Sequence, residues 1–164
     1  ITEKTMAFAA QGLVTVWSVL ASLSWKLSPD VLETLCEESR NLRLDHTFNQ
    51  DMAVDLAHSL VKLGVSDPRP EYQVVDYVAR RGLSLRADTL LELIQFMASR
   101  GVTHPVAWKR IGVRAQQRAV DLSLADIDRL ASVFRKSGRG NDRIFGMLQL
   151  FMKIREDQSK YGAS

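Results

Sequence analysis

Three glycines, Gly64, Gly101 and Gly138, stand 37 residues apart, each just behind an apolar stretch of helical periodicity. A helix C-terminus favours a residue that takes positive φ without steric cost, so each glycine marks where one helix turns into the next. The segment Phe48–Arg81 shows the unit most fully: an apolar helix, Gly64, then a second helix begun at a proline. Phe8, Phe48, Leu85 and Leu122 open the first helix of successive pairs, separated by 40, 37 and 37 residues. A two-helix unit recurring at this interval predicts an all-α protein. The expected fold is an α-solenoid of about four helix-turn-helix repeats, at roughly 8–45, 46–83, 84–121 and 122–158, in one domain.

The pairs share their local chemistry. Ser28 with Pro29, and Asn49, are N-cap signals; Pro68, Pro70 and Pro105 restart the chain as second helices, because proline lacks only an N–H that the first turn leaves unpaired anyway. Ser123 and Asp126 have capping-box spacing. The first helices bury Val16, Leu56, Leu93 and Leu130 at one position, and Leu20, Leu60, Met97 and Phe134 at the next, as ladders between repeats. The second helices carry Val31, Leu32 and Leu35; Tyr72, Val74, Val75 and Val78; Val106, Ile111, Val113 and Ala115; and Ile144, Phe145, Leu148, Phe151 and Met152. Val133 joins the inward face of the fourth pair. Gly112 invites close approach of a neighbouring helix. Glu37-Glu38 reads as exposed acidic surface, and the tail from Glu156 as a frayed end.

Charge is unevenly placed. Residues 1–76 hold 6 Lys+Arg against 11 Asp+Glu, and residues 77–164 hold 16 against 8. Such asymmetry suits an anionic partner for the C-terminal half, although arginine-rich helices are also ordinary solvated faces. With Ile1 in place of methionine, the chain is expected to be a fragment or domain cut from a longer protein. No apolar run approaches the roughly 18 residues of a membrane span. The single cysteine, Cys36, excludes an internal disulfide and a cysteine-based zinc site and agrees with a reducing compartment.

The phrases Phe8-Ala-Ala-Gln-Gly-Leu13, Trp17-Ser-Val-Leu20-Ala-Ser-Leu23, Phe48-Asn-Gln-Asp-Met52 and Leu60-Val-Lys-Leu63-Gly64 share an F-x-x-Q/D…W/A-x-x-L-x-x-L-G shape. This resembles the organellar helical-hairpin repeats: the octotricopeptide and heptatricopeptide repeats and those of FAST kinase-like and RAP-domain proteins. The resemblance covers about residues 8 to 155, with Leu85 and Leu122 replacing phenylalanine in the last two units, and no RAP domain is visible. It implies a mitochondrial matrix or other organellar protein that binds RNA, processes or stabilises transcripts, or belongs to an organellar ribosome. Tetratricopeptide repeats fit worse, their period being 34.

If the solenoid reads RNA, polar side chains one step off the core ladder face the bases: Ser18, His58, Gln95 and Ser132 at one position, and Ser22, Lys62, Ser99 and Lys136 at another. Exposed helix positions are polar in any protein, so the alternative is plain surface. Arg110, Arg114 and Arg118, four apart, with Lys109 beside them and Lys136, Arg139 and Arg143 in the next unit, are candidate phosphate contacts. The same arginines suit an acidic protein partner or internal pairing with Asp121, Asp126 and Asp128. Trp25, Trp108 and the tyrosines are candidates for base stacking or for the core. His46, His58 and His104 lack metal-ligand spacing, Cys36 has no histidine nearby in sequence, and no phosphate-cradling loop follows a strand. The expectation is a non-catalytic module with no cofactor, metal, membrane or small-molecule substrate, touching single-stranded RNA through its basic half. The alternative is a protein–protein scaffold subunit of the same kind of complex, without RNA contact.

Overall fold

In the computed structural model the described residues are 3–138 and 142–161, with side chains described over 10–138 and 146–161. The described chain is all-helical, with no strand among these residues. Eight α-helices follow one another: α1 Glu3–Ser22, α2 Pro29–Ser39, α3 Gln50–Leu63, α4 Pro68–Arg81, α5 Ala87–Ser99, α6 Pro105–Arg118, α7 Leu124–Ser137 and α8 Asp142–Tyr161. They group into two compact units, Ile1–Arg80 and Arg81–Ser164.

Local sequence sets the helix ends. The side chains of Ser28, Asn49, His104 and Ser123 accept the N–H groups of Val31, Met52, Ala107 and Asp126 at 3.3, 3.0, 3.2 and 3.1 Å. Each satisfies a first-turn donor that has no partner within the helix. Gly64, Gly101 and Gly138 take φ of +67°, +62° and +68°, the left-handed conformation that a Cβ penalises. Three 3-10 turns absent from the sequence reading, Leu42–Leu44, Gly82–Ser84 and Ala119–Asp121, each close a second helix. Phe48, Leu85 and Leu122 are buried just behind those turns and precede the N-caps, so they anchor the approach to a helix rather than open it. Phe8 lies inside α1, which begins five residues earlier. Helix α8 continues through Tyr161, past the expected frayed end.

Burial follows the 37-residue spacing closely in three first helices. Ala53, Leu90 and Ile127 are buried at one position; Leu56, Leu93 and Leu130, then Leu60, Met97 and Phe134, are buried at the next two. Helix α1 departs from the expected ladder: Val16 is exposed and Leu20 half-buried, while Trp17 and Ala21 are buried. The cause is Trp17, the largest side chain in the helix, which turns inward with Nε1 donating to Ser39 Oγ at 3.0 Å. Val31, Tyr72, Val106 and Val113 are also exposed rather than inward, and Val133 is half-buried. Ile144 and Phe145 lie outside the described side chains.

In the first unit α1 packs along α3 and against α2; in the second, α5 packs on α6 and α7, and α7 on α8. Helix α6 also lies on the Gly82–Ser84 turn, where a Cβ on Gly82 would stand 3.1 Å from Arg110 Cβ. Gly112 is buried within the same helix.

Candidate functional site

The row Arg110, Arg114, Arg118 lies along α6, and its members differ in what they touch. Arg114 is half-buried: Nε donates to the Leu85 carbonyl at 2.8 Å and Nη1 to Gln117 Oε1 at 3.2 Å. Arg118 pairs with Asp121 at 2.9 Å, and its Nε is buried without a hydrogen-bond partner. Arg110 and Lys109 are exposed, as is Lys136 on α7. Arg139 and the Arg143 side chain lie outside the described residues. Asp126 pairs with Arg129 of its own helix at 3.6 Å, not with the α6 row. Arg114 and Arg118 are therefore occupied within their own unit.

The candidate base-facing residues are dispersed. Gln95 lines an open groove of about 310 Å³ between α5 and α7, with Ala98, Ser99, Val133, Lys136 and Ser137. This groove brings together Gln95, Ser99 and Lys136 from the two polar positions read in the sequence. The hydroxyls of Ser99 and Ser137 donate to the Phe96 and Phe134 carbonyls at 2.9 and 3.1 Å, so their oxygens face the groove as acceptors. The groove's donors are then the Gln95 amide and the Lys136 ammonium. Ser18 and Ser22 line a second groove, between α1 and α3. His58 and Lys62 are exposed and Ser132 is half-buried, and none of these three lines either groove.

Aromatic burial separates the stacking candidates. Trp108 is buried, with Nε1 donating to the Val102 carbonyl at 2.6 Å and its ring edge-on to Phe134 at 6.1 Å. Tyr77 packs edge-to-face on Phe48 at 5.8 Å. Tyr72 carries the Arg43 guanidinium at 5.4 Å from its ring centre. Trp25 is 61% exposed.

A dense electrostatic cluster among the described residues was not foreseen. Arg69, in the first turn of α4, holds both Glu33 oxygens at 2.7 Å, Glu37 at 3.2 Å and Asp67 at 3.0 Å. Hydrogen bonding to Arg69 holds the Glu33 and Asp67 carboxyls below their ordinary range and raises the guanidinium's own affinity for its proton. Glu33 and Glu37 lie four apart on α2, which aims both at one cation; that spacing was the available signal. Beside them Cys36 is wholly buried, and burial, then the nearby Asp67 charge, pushes its thiol up to about 11. Such a thiol is a structural apolar group rather than a nucleophile.

No family model, curated protein or solved structure matches the chain. Among the described residues, no group of three His, Cys, Asp or Glu is placed to hold a metal ion, and no helix is long and apolar enough to cross a membrane. The chemistry the α5–α7 groove offers is one flexible cation, one amide and hydroxyl acceptors in an open cleft.

Proposed function

We propose that the chain is a non-catalytic α-solenoid binding module of an organellar, mitochondrial RNA–protein assembly, and that single-stranded RNA lies along the α5–α7 groove. The observation that carries this is the convergence of Gln95, Ser99 and Lys136 there. An ammonium on a flexible stem suits a phosphate, and an amide, which donates and accepts, suits a base edge. The repeat spacing and the buried positions shared by α3, α5 and α7 support the solenoid; the organellar setting follows from the sequence resemblance. Lys109 adds an exposed cation on α6, and Arg114 and Arg118 serve their own unit first. That internal use favours the second reading, a scaffold that holds partner proteins and leaves RNA alone.

Binding of labelled single-stranded RNA across a salt series tests the proposal. Kd weakens steeply with salt, and Lys136→Ala lowers the log–log slope by about 0.7, the increment for one single-strand phosphate. Gln95→Ala changes base preference and leaves the slope intact. No binding at low salt, or a slope indifferent to Lys136, removes the RNA reading and leaves the scaffold.

A further inference from the structure

The outward face of α1 breaks the pattern of the helix beside it. Aligning the buried Trp17 and Ala21 of α1 with the buried Leu56 and Leu60 of α3 sets Val16, Val19 and Leu23 at the places of Asp55, His58 and Lys62. The α3 residues are polar and exposed, as expected of a helix face turned from the core. Val16 and Val19 of α1 and Leu23, in the turn just past it, are aliphatic and are 43, 48 and 53% exposed. Helix α3 already has α1 packed along it, and its outward face remains in water. One more helical pair stacked on α1 in the same manner would leave Val16, Val19 and Leu23 equally exposed. Repeat stacking therefore does not explain this stripe.

Its spacing, i, i+3, i+7, is the one by which one helix receives the apolar row of another. Beside it runs the α1–α3 groove, of about 360 Å³, with Val19 and Ser22 on one wall and Asp55 on the other. Asp55 is the charged side chain that lines this groove. This surface disfavours a phosphate chain and suits a cationic partner. We propose that the α1–α3 face docks an amphipathic α-helix of a partner protein. Its apolar row lies on Val16, Val19 and Leu23, and its basic flank meets Asp55. The site is independent of the RNA reading and shares no residue with the α5–α7 groove.

Fluorescence anisotropy of the full chain with two labelled helical peptides of roughly five turns tests it. Both peptides carry leucine at i, i+3 and i+7; one has a Lys/Arg flank and the other a Glu flank. The basic peptide binds, Val19→Glu and Leu23→Glu each weaken it about tenfold or more, and Asp55→Lys reverses the preference towards the acidic peptide. All three positions are exposed, so the variants keep the helical circular dichroism and melting of the parent. Absence of binding, equal affinity in Val19→Glu, or indifference to the flank's charge overturns the proposal. Self-association in sedimentation velocity that Val19→Glu abolishes would give the face to a second copy. Protection of α1 amides by RNA would give it to nucleic acid. Either result overturns the partner-helix assignment.

Discussion

The α3–α4 pair of the first unit and the α5–α6 pair of the second, 37 residues further on, are held by different chemistry. In the first, Phe48 and Tyr77, 29 residues apart, meet edge-to-face. In the second, Leu85 and Arg114, also 29 apart, meet through a guanidinium donating to a backbone carbonyl. One helical turn earlier, Gln73 is buried: Oε1 accepts the Arg43 N–H at 2.7 Å, and Nε2 donates to the Arg40 carbonyl at 2.8 Å. Its counterpart 37 residues on is Arg110. Arg110 and Arg114 of α6 thus occupy positions that α4 turns inward, whereas Arg118 stands at that of the exposed Arg81. At two positions of the second helix, 73 and 110 and then 77 and 114, residues 37 apart thus carry an amide, an aromatic edge or an arginine. A count of arginines therefore overstates how much of the second unit is available to an anion.

The largest effect is expected where the contact is aromatic. Tyr77→Ala removes a buried ring and leaves a cavity, costing the first unit about 3 kcal/mol. Because Cys36 is the protein's one thiol and is buried in that unit, its labelling rate reports opening there. Tyr77→Ala accelerates Cys36 labelling in native buffer and lowers the urea midpoint of that signal. Unchanged labelling would mean that the Phe48–Tyr77 contact does not hold the unit closed.

Arg114→Ala is the matched test in the second unit. It leaves the Leu85 carbonyl without its side-chain donor and costs about 1–2 kcal/mol, read from urea unfolding by Trp108 fluorescence in a Trp17→Phe, Trp25→Phe background, which removes the first unit's two tryptophans. The Cys36 labelling rate is unchanged, and the salt slope of RNA binding changes far less than in Lys136→Ala. A slope change equal to that of Lys136→Ala, with no loss of stability, would return Arg114 to the phosphate-contacting set.

The three helices with strict 37-residue spacing were legible because Leu56, Leu93 and Leu130 fall in one pattern: Leu56 and Leu130 have no large apolar neighbour, and Ile94 beside Leu93 turns inward with it. Helix α1 was not, since Val16 and Trp17 are adjacent and apolar and periodicity alone does not choose between them. The choice came from a tertiary contact, the Trp17 bond to Ser39. The 3-10 turns carry no periodicity in three residues. Arginine roles escaped for a related reason: spacing gives the face of a helix, while Leu85 supplies the acceptor that decides whether that face is surface. At the candidate site, the polar positions of Gln95, Ser99 and Lys136 were legible, and their meeting in one groove needed the packing of α5 on α7.

A smaller effect belongs to Gly82, in the turn before α5 on which α6 packs. An added Cβ would sit 3.1 Å from Arg110 Cβ and 3.5 Å from the Ile111 nitrogen, both fixed by the helix backbone. Gly82→Ala therefore pushes the turn from α6 and costs about 1 kcal/mol, seen in the same Trp108 unfolding curve. An unchanged or higher midpoint would show that the turn shifts freely and that the closeness at Gly82 is incidental.

The smallest effect separates the units by pH. Glu33 and Asp67 have lowered carboxyl pKa values because they accept hydrogen bonds from Arg69. A carboxylate whose folded pKa lies below its unfolded value stabilises the fold fully above the unfolded value, near 4, and that stabilisation is lost as pH falls through the folded one. Glu33 is largely exposed, so water screens much of its share and Asp67 carries the rest. The urea midpoint of Cys36 labelling, measured after brief neutral-pH quenching, falls from about pH 5 downward. Arg69→Gln lowers the neutral-pH midpoint and flattens the acid decline, because the two carboxyls then titrate nearer their unfolded values. The second unit's Trp108 curve does not respond to this substitution. An equally steep acid decline in Arg69→Gln would place the acid sensitivity of the first unit in carboxylates other than Glu33 and Asp67.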